Sequence, residues 1–207
     1  MKKSLLLLLA AFAIIQVQAQ QVQIVVQGSK TSLRGLSIKG KSIWVSGSGG
    51  TVGRSVDEGE TWQWQIIGGY EKTEFGDIEA LDEKTAVVMG IASPAYILKT
   101  SDGGQNWTKV YENRDSAMFL DAMTFKNAKE GMVVGDPINN KIFVAQTKDG
   151  GNSWQPTNQL SLPNAQPGEA FFAASGSNII WSRLGYCIVS GGAASRFFTK
   201  KKAINLP

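Results

Sequence analysis

The chain has 207 residues, with 21 Lys and Arg against 17 Asp and Glu, no histidine and one cysteine. The missing histidine removes the commonest general base and metal ligand, and a single cysteine excludes an intrachain disulfide. A net charge of +4 is too small to mark a nucleic-acid surface.

Residues 1–19 read as a secretory signal. Lys2 and Lys3 precede the apolar run Leu5 to Ile15, and Val17-Gln18-Ala19 is a small-residue cleavage site. The run has 11 residues, whereas a membrane-spanning helix needs about 20. No cysteine stands directly after it, which argues against a lipid anchor. The chain is therefore expected to be exported, to a periplasm or outside the cell, and not as a lipoprotein.

Beyond Gln21, runs of Ile, Val, Phe and Trp alternate with Gly, Asn, Asp and Ser. That is the grammar of short strands and turns, and no stretch sustains a helical period. The strands fall into units of four. The first unit has Leu33 to Ile38, Ser42 to Ser46, Val52 to Ser55 and Trp62 to Ile67. The second has Ile78 to Leu81, Thr85 to Met89, Ala95 to Thr100 and Trp107 to Tyr111. The third has Ala122 to Phe125, Gly131 to Val134, Lys141 to Gln146 and Trp154 to Thr157. A fourth begins at Glu169, with strands expected at Ala170 to Ser175, Ile179 to Arg183, Cys187 to Ser190 and Ser195 to Thr199.

Before the last strand of each complete unit stands one motif, Ser/Thr-x-Asp-x-Gly-x-(Ser/Thr/Asn)-Trp. It comprises Asp57, Gly59 and Trp62, then Asp102, Gly104 and Trp107, then Asp149, Gly151 and Trp154. The aspartates lie 45 and 47 residues apart, the period of a propeller blade or a comparable repeat. Asp is expected to accept a backbone N–H two residues on and the glycine to supply a positive φ. Trp carries the apolar area that pins the hairpin to a sheet. Gly47, Gly90 and Gly135 each close a second strand. The fourth unit loses the motif at Thr199 to Asn205.

The motif resembles the Asp-box, or BNR repeat, of sialidase-like β-propellers. The run Gly47 to Trp62 is similar to the repeat of the photosystem II assembly and stability factor family, which is widespread in bacteria. That resemblance covers the chain from about Gln21 onward. It implies a seven-bladed, all-β propeller of four-stranded antiparallel blades that docks or chaperones other proteins, with the boxes as scaffold away from the ligand. Blade one departs from the pattern by placing Glu58 where a doubled glycine usually stands. The blades are expected at 31–68, 75–112, 119–158 and, incomplete, 168–207, about three and a half of a ring of about six to eight. Either a chain roughly twice as long or a second copy would close it.

Chemistry finds little support. Five arginines (Arg34, Arg54, Arg114, Arg183 and Arg196) carry no sialidase signature. Gly47 to Gly53 has the wrong spacing for a dinucleotide loop and leads into a strand. The boxes offer too few oxygens for a calcium cage. No cofactor or metal is expected, and Cys187 reads as a buried, inert thiol.

Binding has better candidates. Arg34, Asp77, Asp121 and Glu169 stand at the start of the innermost strands, positions that ring the mouth of a propeller channel and meet water. The long loops on that face, Gly68 to Gly76, Glu112 to Leu120 and Gln159 to Gly168, carry Tyr70, Glu71, Lys72, Glu74, Arg114 and Asp115. Loops on a rigid scaffold are where binding usually resides. The expectation is a non-catalytic module whose partner is a protein in preference to a glycan. The alternative is a glycan-active enzyme whose catalytic residues lie outside this chain.

Overall fold

The computed structural model describes residues 22, 24, 30–174, 176–182 and 185–199. The expected signal, 1–19, and residues 200–205, where the fourth box fails, lie outside the described residues.

Three four-stranded antiparallel sheets follow one another, each ordered as its strands occur in sequence. The first holds β1 (Leu33–Lys39), β2 (Ser42–Gly47), β3 (Thr51–Ser55) and β4 (Gln63–Ile66). The second holds β5 (Phe75–Ala80), β6 (Ala86–Gly90), β7 (Ala95–Thr100) and β8 (Thr108–Asn113). The third holds β9 (Leu120–Phe125), β10 (Gly131–Ile138), β11 (Lys141–Thr147) and β12 (Gln155–Pro156). Among the described residues the helical content is one 3-10 turn, Gln159–Ser161, and no helix there is long and apolar enough to cross a membrane. The molecule is a partial all-β propeller.

The fourth unit is built differently from the expectation. Strand β13 (Glu169–Ala170) pairs with β16 (Gly191–Gly192), while β14 (Ile179–Ser182), β15 (Gly185–Val189) and β17 (Phe197–Thr199) form a three-stranded sheet. Of the expected strand Ala170 to Ser175, only Ala170 is in a ladder among the described residues. The chain leaves the ladder after Ala170 and rejoins it at Ile179, still opposite the β15–β16 segment. Its aromatics read as strand because they pack: Phe171 is buried against the third sheet.

The core lies between the sheets as three clusters, one per seam. Trp44, Val52, Ile78, Val88 and Leu98 fill the first. Val87, Ile97, Met123, Val133 and Trp154 fill the second, and Met132, Val134, Phe171, Ile179 and Ile188 the third. Alternation explains it: in β6, Val88 faces back to sheet one while Val87 faces forward to sheet three. The innermost strands approach closely. A Cβ at Gly35 would lie 2.9 Å from the Ile78 backbone nitrogen, so only glycine fits there.

Each box is one repeated hydrogen-bond cage. The hydroxyl of Ser55, Thr100 or Thr147 donates to its aspartate at 2.7–2.8 Å and accepts the N–H of Gly59, Gly104 or Gly151 at 2.8–2.9 Å. Each aspartate then accepts the N–H of Thr61, Asn106 or Ser153 at 2.9–3.0 Å and that residue's side chain at 2.6–2.7 Å. The principal contact therefore lies four residues on, not two, because the extra turn lets one carboxylate hold backbone and side chain together. These donors pull the carboxyls of Asp57, Asp102 and Asp149 down to about 2. Trp107 meets Trp44 edge to face at 6.1 Å, and Trp154 meets Phe125 in the same way at 5.8 Å. Phe125 belongs to the same sheet as Trp154, and Trp62 likewise stacks on its own sheet's Trp64 at 5.5 Å.

Candidate functional site

Antiparallel order puts the boxes and the β1–β2-type turns at one end of each sheet. The sheet-to-sheet loops and the β2–β3-type turns lie at the other. At this second end, loop 67–74 and the turn Ala92 to Pro94 wall a cleft of about 360 Å³, lined by Tyr70, Glu71, Lys72, Glu74, Ser93 and Tyr96 among others. The loop is pinned from within. Tyr70 N–H donates to Ile67 at 3.0 Å, Thr73 N–H to Tyr70 at 2.8 Å and Gly50 N–H to Thr73 at 2.8 Å.

Tyr70 and Tyr96 form the apolar floor, edge to face with centroids 5.1 Å apart. Burial pushes the Tyr70 hydroxyl up, opposed in part by Lys109, whose ammonium stands 5.8 Å from the Tyr96 ring centre. Lys109 pairs with Glu112, and Arg114 closes on the same carboxylate at 2.5 Å. On the other flank Arg34 holds Glu74 at 3.0 Å. Glu71 and Lys72 remain exposed at the lip. The cleft thus offers two aromatic faces inside a rim of both charges.

Three of the four strand-start residues are not at a wet rim, which corrects the expectation. Asp77 is buried: its carboxylate accepts the N–H of Ile78 and of Met123, both at 2.8 Å, joining sheet two to sheet three. Ser37 joins sheets one and two through Ala80 N–H at 3.0 Å, and Asp136 joins three and four through Phe171 N–H at 2.8 Å. These polar groups close seams. Burial raises Asp77 to about 7 despite its two donors.

Asp121 is fully buried with neither oxygen in good hydrogen-bond geometry. Burial first, then the Asp136 charge, push it up to about 8, with nearby backbone N–H groups of Ala173 and Asp136 pulling weakly the other way. Nor are Asp77 and Asp121 equivalent. A bulge recurs at the start of β1, β5 and β9, and the extra residue is Arg34, Gly76 and Asp121 respectively. Asp77 follows its bulge by one residue, a shift that re-aims the side chain.

Glu169 is enclosed as well. Arg196 grips it through Nε at 2.9 Å and Nη2 at 2.5 Å, and Ser190 and the Gln166 N–H complete the set. Burial works against the carboxylate, but these donors hold it at about 2. Cys187 is half-buried, with its sulfur 4.0 Å from the Thr199 hydroxyl.

Of the sequence candidates, Tyr70 lines the cleft while Arg34 and Arg114 flank it. Tyr96, Ser93, Pro94 and Lys109 went unmarked. An aromatic two residues after a proline in a strand-connecting turn was the available signal.

The family described as "Photosynthesis system II assembly factor YCF48" matches residues 63–180. The chain belongs to this family. The YCF48-family chain is similar to a solved structure of YCF48 bound to D1 peptide, at 19% identity and TM-score 0.56, over 82% of this chain and 51% of that one. It is similar to YCF48 from Cyanidioschyzon merolae at 15% identity and TM-score 0.57, over 86% and 60%. A Niastella koreensis GH74 enzyme matches at 12% identity and TM-score 0.57, over 84% of this chain and 29% of that one. At such identities these likenesses speak for the fold. The chain spans 51% and 60% of the two YCF48 chains. No curated protein matches it.

Proposed function

We propose that this chain is an exported, non-catalytic module that recognises a segment of another protein through the loop end of its sheets. The observation that carries the reading is the cleft between loop 67–74 and the Ala92 to Pro94 turn, in a member of a family with a solved peptide complex. Tyr70 and Tyr96 supply flat apolar area at low entropic cost, as protein-binding surfaces favour. Arg34–Glu74 and Lys109–Glu112–Arg114 supply a charged rim that steers association and register. The buried acids Asp77, Asp121 and Glu169 act in the scaffold. Export rests on the 1–19 sequence pattern.

A photocrosslinking amino acid at Ser93, on the cleft wall, tests this in native cell envelope. Lys148, beside the box of sheet three, is the control position. Crosslinks to defined proteins from Ser93 and none from Lys148 are expected. Equal labelling from both, or none from either, refutes cleft recognition.

A further inference from the structure

We infer, on the footing of cleft recognition, that the partner segment seated in the cleft continues over Ala92 onto Phe119 of the next sheet, and that it is extended, apolar in its anchoring side chains and without net charge. In the run Met118-Phe119-Leu120, Met118 is 2% and Leu120 0% exposed, and both lie in the second core cluster. Phe119 between them is 36% exposed and belongs to none of the three clusters. Alternation along an extended chain turns it to the outer side.

Backbone bonds fix where that residue stands. Ala92, which lines the cleft, is bridged to Phe119. Leu120 N–H donates to the Ile91 carbonyl at 2.8 Å, and the Phe119 carbonyl accepts the Asp136 N–H at 2.9 Å. Ile91 N–H in turn donates to the Glu74 carbonyl, at the foot of the cleft loop, at 2.9 Å. These bonds stitch the loop ends of successive sheets into one track, so little ordering is left to be done on binding. Bridged neighbours lie about 5 Å apart, and an extended segment advances about 3.3 Å per residue. A segment resting on Tyr70 and Tyr96 therefore reaches Phe119 within about four residues. A lone exposed phenylalanine needs no explanation, but one a single bridge from a cleft floored by two tyrosines enlarges one apolar patch.

Charge sets the class of occupant. Arg34 pairs with Glu74, and Lys109 pairs with Glu112, which Arg114 shares. Glu71 stands beside Lys72 at the lip, and Arg114 precedes the exposed Asp115 on the loop leading to Phe119. Those side chains number four of each sign, so the rim has no net field to hold a basic or an acidic tract. It complements a segment whose own charges balance and whose apolar side chains supply the affinity. The order of the rim charges sets its register.

The test places the photocrosslinking residue at Phe119 in native cell envelope and locates the labelled partner residue by mass spectrometry, beside that labelled from Ser93. Both positions should label one protein, at residues no more than about six apart, in a segment of balanced charge that carries apolar residues. Phe119 is exposed and outside the core clusters, so Phe119→Ser leaves the sheets intact, which circular dichroism checks. The Ser93 crosslink should weaken about 10-fold in that variant, as for loss of one interface anchor. Label from Ser93 with none from Phe119, labels on separate segments, a segment of strong net charge, or a Ser93 yield indifferent to Phe119→Ser overturns the inference and leaves cleft recognition standing. Label from neither position, or from Phe119 alone, overturns both.

Discussion

Replacing the same motif residue in two sheets separates its local role from its role between sheets. Trp154 is buried in the second core cluster, against Phe125 edge to face at 5.8 Å and beside Val87 of the preceding sheet. Its indole N–H has no acceptor, so Trp154→Ala loses packing and no hydrogen bond. A large-to-small change at such a site costs about 3–5 kcal/mol, a large share of the roughly 5–15 kcal/mol that holds a domain. Trp62 is half-buried, stacks on Trp64 at 5.5 Å and donates to the Gly59 carbonyl at 3.0 Å. Its removal costs about 1–2 kcal/mol. In urea, with a slope of about 2 kcal/mol/M, the midpoint falls by about 1.5–2.5 M for Trp154→Ala and by less than about 1 M for Trp62→Ala. Tryptophan fluorescence and circular dichroism should report the same midpoint. Equal shifts for the two variants refute the claim that boxes act by gripping the preceding sheet.

Glu58 sits at φ 62° where the other boxes carry Gly103 at φ 80° and Gly150 at φ 72°, so Glu58→Gly relieves a left-handed side-chain clash and raises stability by about 0.5–1 kcal/mol in thermal unfolding. Burial and the neighbouring Asp136 push the Asp121 carboxyl up to about 8 in the folded chain, against 3.8 for an ordinary aspartate. The folded state therefore holds the extra proton between those values, and stability falls as pH rises through that window. Asp121→Asn flattens the fall in stability between about pH 4 and pH 8, and an unchanged slope across that window contradicts the assignment. The box aspartates, lowered to about 2, work the other way: their contribution is complete above about pH 4 and is lost as pH falls toward 2. Arg54 reaches across to the Glu83 and Gly103 carbonyls at 2.7 and 3.3 Å and lies over Trp44, so Arg54→Met lowers stability by about 1–2 kcal/mol.

The fold was legible because a box needs fixed residues at fixed offsets, and its 45- and 47-residue spacing counts strands without any knowledge of packing. Legibility ended where tertiary contact overrides local pattern. The Glu169 partner, Arg196, lies 27 residues away, just before β17 in the unit that has lost its box, so no local rule joins them. A one-residue bulge is invisible in sequence, which is why Asp77 and Asp121 aligned as equivalents. Burial was misread for the same acids: aspartate at a strand start is ordinarily solvated, and only the neighbouring sheet's N–H groups reveal Asp77 as a seam residue. Phe171 and Ile179 are covered by sheet three, while Ile180 remains exposed, a division no local pattern announces. The cleft was half legible, through Tyr70 and its loop. Its second wall comes from the next sheet's turn, and sequence does not show which turns meet.

Recognition of a protein by the cleft end is tested most directly by capture from native envelope on wild-type chain and on a chain carrying Glu71→Lys with Lys72→Glu. Both side chains are exposed at the cleft lip, and the Glu71 carboxylate accepts the Gly69 N–H of its own loop at 2.9 Å, so the sheets survive while the rim's charge order reverses at the cost of one loop hydrogen bond. Rim charges act chiefly on association rate and salt dependence, so defined proteins should be retained by the wild type and by Glu58→Gly, and retained far less by the reversed rim at low salt. Identical capture by all three chains, or release of reducing sugar from a glycan by the wild type, would contradict a non-catalytic protein-binding module.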